Sequence, residues 1–127
     1  MDRSREFPAD LSSVPAARAL LSEALRPGDD ADSAALLTSE LSANAVVHAQ
    51  TPFTVAVHHD DDCLTVAVHD GDPMLPTVRD DDPWSMNGRG MRLLDLYAAS
   101  WGVSHEGAGG KTIWFRLRPQ VEGRPCT

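Results

Sequence analysis

The sequence predicts an α+β fold, a two-layer sandwich in which helices cover one face of a mixed, mostly antiparallel sheet. Three observations lead to this prediction: apolar residues at helical spacing before residue 50, two alternating segments between residues 53 and 69, and a third at 113–117. Each of these elements has a single apolar face, and two packed layers bury all of the faces together. With 127 residues, the chain fits one domain.

Two helices are predicted in the N-terminal part of the chain. The first opens where Ser12 and Ser13 precede Val14-Pro15, and it ends at Pro27-Gly28. The second begins in the acidic cluster at residues 29–33, because carboxylates favour the positive end of a helix dipole, and it ends at about Ala49. The apolar face of the first helix is formed by Val14, Ala17, Leu21 and Leu25.

The middle of the chain predicts an antiparallel hairpin. Residues 53–58 and 64–69 alternate between apolar and polar side chains, and the acidic tripeptide 60–62 between them is typical of a hairpin tip. Residues 113–117 alternate in the same way and predict the last strand. Gly88-Arg89-Gly90 is predicted to open a third helix, and the stretch 70–87 before it lacks periodicity and is interpreted as a lid over a site.

Charge and composition argue against several classes of protein. A formal net charge of -8 opposes binding to nucleic acid, because the polyanion is repelled. No segment approaches the roughly 20 apolar residues of a membrane span, so no membrane association is expected. The two cysteines, Cys63 and Cys126, suggest no disulfide framework, which favours a cytoplasmic location. Residues 1–119 are predicted to form the domain, and 120–127 a flexible tail.

The second helix carries the most informative polar residues. Glu40 and Asn44 are four residues apart, so they project from nearly the same side of the helix, and His48 extends the row. Leu37 and Leu41 place the buried stripe beside them, where a carboxylate and an amide need polar partners or a ligand. The alternative is a solvated flank of the helix, which the spacing alone does not exclude.

Asp70 and Gly71 follow a hydrophobic strand, at a position where functional groups often lie. A carboxylate in a mostly apolar pocket can accept a hydrogen bond from an exocyclic amine such as that of adenine. A plain Asp-Gly turn is the alternative.

Two glycine-containing segments are further candidates. The backbone N–H groups of Gly88-Arg89-Gly90 can hold phosphate oxygens at a helix start, although the segment is not a P-loop and could also be a hinge. Gly110-Lys111-Thr112 precedes the last strand, and it could equally be a strand-opening turn.

Taken in order, four blocks resemble the histidine-kinase-like ATPase superfamily shared by sensor kinases and gyrase. LLTSELSANAVVHA resembles its N-box helix, VAVHDGDP its first glycine box, NGRGMRLLDLYAASWGV its second, and GGKTIWFRL its terminal strand. Within the superfamily, the chain is most similar to the short anti-sigma-factor serine/threonine kinases of bacteria. The resemblance implies a Bergerat-type ATP-binding fold with ATP and Mg²⁺ as cofactors.

The resemblance also implies roles for individual residues. Asn44 matches the asparagine that ligates Mg²⁺, and Glu40 the catalytic carboxylate that polarises the attacking nucleophile. Asp70 matches the aspartate that binds adenine. The remaining residues that the resemblance places around the nucleotide are Gly71, Asp72, Gly88, Arg89, Gly90, Met91, Lys111 and Thr112.

The function implied is transfer of the ATP γ-phosphate to a serine or threonine of an anti-sigma-factor antagonist, together with sequestration of a sigma factor. A homodimer is among the assemblies that the resemblance implies. One departure from the family pattern is Asp72, which occupies the place of a glycine. It leaves open the alternative of a non-catalytic nucleotide sensor, or of a protein-interaction module with a degenerate pocket.

Overall fold

The computed structural model describes residues 2–72, 86–105 and 109–120, with the backbone alone for 86–90. Helices and strands lie close to their predicted positions, with two additional strands. In chain order the elements are β1 (Arg3–Phe7), α1 (Ser13–Ala24), α2 (Ala31–Asn44), a π turn (Ala45–Ala49), β2 (Phe53–Asp60), β3 (Cys63–Asp70), α3 (Met86–Tyr97), β4 (Ser100–His105) and β5 (Lys111–Leu117).

The strands form one five-stranded sheet in the order β1-β2-β3-β5-β4. Every strand pair within the described residues is antiparallel, so the predicted sheet has no parallel ladder in this part of the chain. Helices α1 and α2 pack against one another and against the sheet, and α3 packs against α2. The predicted α+β two-layer sandwich is confirmed.

The core lies between the two layers. Strands β2, β3 and β5 turn alternate side chains toward the helices, and these side chains are buried. The helices contribute Ala17 and Leu21 from α1, Leu37 and Leu41 from α2, and Leu94 from α3. The sheet contributes chiefly Phe53, Val55, Val57, Val66, Val68, Ile113, Phe115 and Leu117.

The N-terminus of α2 is capped as its acidic sequence predicts. The Asp30 carboxylate accepts hydrogen bonds from the Ser33 backbone N–H, at 3.2 Å, and from the Ser33 hydroxyl, at 2.7 Å. These bonds satisfy one of the backbone donors that a helix start leaves without a partner. The cap therefore fixes where α2 begins, and it thereby determines the side of the helix from which Glu40 and Asn44 project.

The hairpin between β2 and β3 turns at Asp61 and Asp62. Both residues have positive φ, 50° and 68°, as the two central residues of a type I′ turn require. Aspartate tolerates this conformation better than most residues, because its short side chain can bond to the local backbone. The predicted hairpin tip is confirmed.

Strands β1 and β4 were not predicted by the alternation of side chains. Both are edge strands of the sheet, and β1 buries one residue, Phe7, while β4 buries none fully. Edge strands need little apolar surface, so their sequences carry a weak periodic signal.

Cys63, at the start of β3, is disulfide-bonded, whereas the two cysteines of the sequence suggested no disulfide framework. The other cysteine is Cys126, which lies outside the described residues, as do residues 121–127 of the predicted tail and residues 73–85 of the predicted lid. Cysteine content therefore gives no support to a reducing compartment. Among the helices that the structure describes, none is both long and apolar enough to cross a membrane.

Candidate functional site

Glu40 and Asn44 lie one helical turn apart at the C-terminal end of α2. At this spacing their Cβ atoms are roughly 5–6 Å apart on the same side of the helix. Glu40 is half-buried and Asn44 is 8% exposed, so both stand at the edge of the core rather than on a solvated flank. We call these two residues the helix pair.

The Asn44 amide oxygen is buried and accepts no hydrogen bond from the residues that the structure describes. Burying such an acceptor without a partner is unfavourable, so its environment is suited to a ligand that supplies one. An amide oxygen is a suitable ligand for a hard cation such as Mg²⁺. Asn44 therefore fits the magnesium site that the resemblance implies.

The helix changes geometry directly after Asn44. Residues Ala45–Ala49 form a π turn, closed by a hydrogen bond of 2.9 Å from the Gln50 N–H to the Ala45 carbonyl. Because a π turn is wider than an α-helical turn, it breaks the phase of the preceding helix. His48 is exposed while Asn44 is buried, so the prediction that His48 extends the row is wrong.

The second part of the site lies where β3 ends against β5. Asp70 pairs directly with Lys111 across the two strands, and the Lys111 Nζ lies 3.0 Å from the Asp70 Oδ1. The two side chains are 8% and 9% exposed, on the face of the sheet that the helices cover. We call these two residues the strand pair.

Short contacts hold the turn after Asp70 against the start of β5. The Asp72 N–H donates to the Asp70 Oδ1 at 2.9 Å, and the Asp72 carbonyl accepts from the Lys111 Nζ at 3.1 Å. The Gly71 N–H donates to the Thr51 hydroxyl at 2.9 Å. Asp72 thus contributes backbone groups to the strand pair.

Gly110 is required where β5 passes this turn. Its φ is +103°, and a Cβ at this position would lie 2.0 Å from the Asp70 carbonyl oxygen. Such an approach is open to glycine alone. The close passage of the two backbones places Lys111 opposite Asp70.

Thr112 lies on the opposite face of the sheet. Successive side chains of a strand alternate between faces, and the Thr112 hydroxyl is 3.0 Å from the His69 Nδ1. The structure therefore brings Lys111 together with Asp70, but it does not bring Thr112 to them.

The second glycine segment lies within α3. This helix begins at Met86, two residues before the predicted opening at Gly88, so Gly88, Arg89 and Gly90 fall inside it. Their side-chain environment is outside the described residues. Met91, which the resemblance places around the nucleotide, is 4% exposed and packs in the core.

Sequence reasoning missed a buried hydrogen-bonded pair, His59 and Asp29, at the other end of the sheet. The His59 Nε2 lies 2.8 Å from the Asp29 Oδ2, and the two side chains are 1% and 4% exposed. His59 follows Val55 and Val57 in the buried phase of β2, and this spacing was the signal that could have revealed it. In the described part of the chain, no cluster of three or more histidine, cysteine or acidic side chains could hold a metal ion.

Comparison with known proteins agrees with this arrangement. The model of the histidine kinase-like ATPase domain family matches residues 7–117, which include every element from α1 to β5. No protein of curated function matches the chain. The helix pair, the strand pair and strands β2 to β5 fall within the matched region. The chain belongs to the histidine kinase-like ATPase domain family, whose fold is an ATP-binding one.

Proposed function

We propose that this protein is an ATP-dependent serine/threonine kinase of the anti-sigma-factor type. In this proposal it transfers the γ-phosphate of ATP to a serine or threonine of an anti-sigma-factor antagonist, and it also sequesters a sigma factor. The observation that carries the proposal is the helix pair: Glu40 stands half-buried one turn before the buried Asn44 oxygen, which lacks a partner among the described residues.

The chemistry follows from these two side chains. The hydroxyl oxygen of the partner attacks the γ-phosphorus, the bond to the bridging oxygen of ADP breaks, and the hydroxyl proton passes to the Glu40 carboxylate. Asn44 would hold Mg²⁺, which neutralises the phosphate charge when bound. One helical turn between the two groups separates the proton acceptor from the metal ligand.

Phosphate transfer in the variant Glu40→Gln tests this proposal. The protein is incubated with γ-labelled ATP and an extract of the source cells, and labelled proteins are detected by electrophoresis. Glu40→Gln removes the proton acceptor, so it should lose transfer while it keeps Mg-ATP binding. Glu23→Gln is the matched control, because Glu23 lies on α1 with an exposed carboxylate, and it should keep both. Undiminished transfer in Glu40→Gln would remove Glu40 from this role.

A second candidate function is a nucleotide sensor or interaction module that transfers no phosphate. The strand pair favours it, because the Asp70 Oδ1 is already bonded to Lys111 and to the Asp72 backbone. A base then has only the Oδ2 of this carboxylate, which lowers the gain from binding.

Thermal melting separates the candidates. A ligand that binds the folded state alone stabilises it by about 2.7 kcal/mol at a hundredfold excess over Kd. A shift with Mg-ATP but no transfer to any partner indicates a sensor. No shift at millimolar Mg-ATP indicates an interaction module with a degenerate pocket.

A further inference from the structure

The strand pair presents two kinds of hydrogen-bonding group side by side. The Asp70 Oδ1 accepts from the Asp72 N–H and from the Lys111 Nζ, which occupies both of its lone pairs. The Asp70 Oδ2 accepts no hydrogen bond from the residues that the structure describes, so it can accept one from a ligand.

Lys111 likewise has a donor to spare. Its ammonium group carries three N–H donors. Within the described part of the chain, two of its contacts are hydrogen bonds, to the Asp70 Oδ1 at 3.0 Å and to the Asp72 carbonyl at 3.1 Å. One N–H next to Asp70 therefore has no acceptor among the described residues, and it can donate to a ligand.

The Asp70 Oδ2 and the neighbouring Lys111 N–H differ from a solitary carboxylate in the purine bases that they can bind. A solitary carboxylate is an acceptor only, so it binds the 6-amino group of adenine and repels the 6-oxo oxygen of guanine or hypoxanthine. Lys111 neutralises the charge of Asp70 and places a donor beside the remaining acceptor. An acceptor beside a donor can bind either the 6-amino edge of adenine or the 6-oxo edge of guanine and hypoxanthine.

We infer that Lys111 determines base specificity and that the protein binds 6-oxopurine nucleotides as well as adenine nucleotides. The inference rests on the proposed function, since it requires the nucleotide to place its base at the strand pair. Lys111 acts here through direct contact with the base, while Asp70 contributes the acceptor for an amino or ring N–H group.

Nucleotide titration calorimetry on the full chain tests the inference. Dissociation constants are measured for the magnesium complexes of ATP, GTP and inosine triphosphate, the last of which has the 6-oxo group without the 2-amino group of guanine. The wild type should bind all three within about tenfold. Lys111→Met keeps the apolar stem but removes the donor, so the two 6-oxopurine nucleotides should weaken relative to ATP by roughly ten- to hundredfold, the value of one hydrogen bond to a charged group.

Two further measurements keep the test decisive. Lys111→Arg retains a cationic donor and should keep the wild-type ratio of GTP to ATP affinity. The ratio compares ligands on one preparation, so a partly unfolded variant affects both affinities equally. If Lys111→Met does not fold, the wild-type affinities for the three nucleotides test the inference by themselves.

The outcomes separate this inference from the proposed function. Wild type that binds Mg-ATP but rejects both 6-oxopurine nucleotides by more than about a hundredfold overturns the inference and leaves the proposed function standing. If Lys111→Met keeps the wild-type ratio of GTP to ATP affinity, the inference is likewise overturned and the proposed function still stands. Wild type that binds none of the three nucleotides overturns both.

Discussion

The helix pair and the strand pair differ in how their polar groups are satisfied. Asp70 and Lys111 bond to one another and to the backbone of Asp72, so each of the two charges has its partner within the chain. The Asn44 oxygen of the helix pair is buried with no partner among the described residues. Loss of one member of the strand pair would therefore leave a buried charge alone, whereas the helix pair already holds a buried acceptor that bonds to none of the described residues.

Removal of the Asp70 carboxylate should give the largest effect. Asp70→Ala leaves the buried Lys111 ammonium without its charged partner, and the free energy of unfolding should fall by about 3–5 kcal/mol. Urea denaturation at neutral pH measures it. The double variant Asp70→Leu, Lys111→Met leaves no buried charge and should recover most of the loss. A decrease of less than about 1 kcal/mol in Asp70→Ala would mean that the strand pair contributes little to the fold.

Asn44→Ala should leave the free energy of unfolding nearly unchanged but abolish the stabilisation by Mg-ATP. No hydrogen bond of the side-chain oxygen within the described residues is lost, so the free energy of unfolding should change by less than about 1 kcal/mol. The stabilisation by Mg-ATP, about 2.7 kcal/mol at a hundredfold excess over Kd, should disappear. Melting with and without Mg-ATP measures both quantities.

The matched control for this variant is Ser39→Ala. Ser39 lies on another side of α2, where its hydroxyl donates to the Ala35 carbonyl and accepts from Arg18 of α1. This variant should therefore keep the shift with Mg-ATP. Equal shifts in Asn44→Ala and wild type would contradict a ligand role for Asn44.

Gly110→Ala should disturb the strand pair indirectly. An alanine at φ +103° is strained by about 1–3 kcal/mol, and its Cβ would also displace the Asp70 carbonyl. The free energy of unfolding should fall by at least that amount. Gly109→Ala is the matched control, because Gly109 is exposed and has no positive φ, and it should be nearly neutral. Equal denaturation midpoints for the two variants would show that β5 can move away from the turn at little cost.

An exposed pair gives the smallest expected effect. The His58 Nδ1, 2.7 Å away, lowers the pKa of the Asp2 carboxyl below its usual value, and both side chains are exposed. A lowered pKa in the folded state stabilises it above the usual pKa of the carboxyl, and this contribution is lost as the pH falls through the folded-state pKa. Asp2→Asn should thus shift the urea midpoint slightly at neutral pH and not at all in strong acid, below the folded-state pKa. A shift as large as that of Asp70→Ala would contradict the difference between exposed and buried pairs.

The sequence was sufficient to predict the helices and strands that bury a regular apolar face. Helix α2 has its capping aspartate and the stripe of Leu37 and Leu41, and the β2–β3 hairpin has strict alternation and two residues suited to positive φ. The edge strands bury too little to produce such a pattern. The π turn has no periodicity of its own, so the exposure of His48 could not be foreseen.

For the candidate site, the sequence indicates individual residues but not the contacts between them. Glu40 and Asn44 could be placed together because four residues of one helix bring them together. Asp70 and Lys111 are 41 residues apart in sequence, and their contact depends on the register of two strands. A signal was present, since each carries a charge in the buried phase of its strand, Asp70 after Val68 and Lys111 before Ile113. Opposite charges at such positions indicate a cross-strand ion pair.

The buried polar pairs at the two ends of the sheet also restrict how its strands can align. A slip of one residue between neighbouring strands turns every side chain to the other face, so the alternation of apolar residues already opposes it. A slip of two residues keeps every side chain on its own face, and the valine-rich middle of the sheet would tolerate it. Such a slip of β5 would move Lys111 away from Asp70, and such a slip of β2 would move His59 away from Asp29. Each slip would leave a carboxylate buried without its partner, so the two pairs select a single alignment.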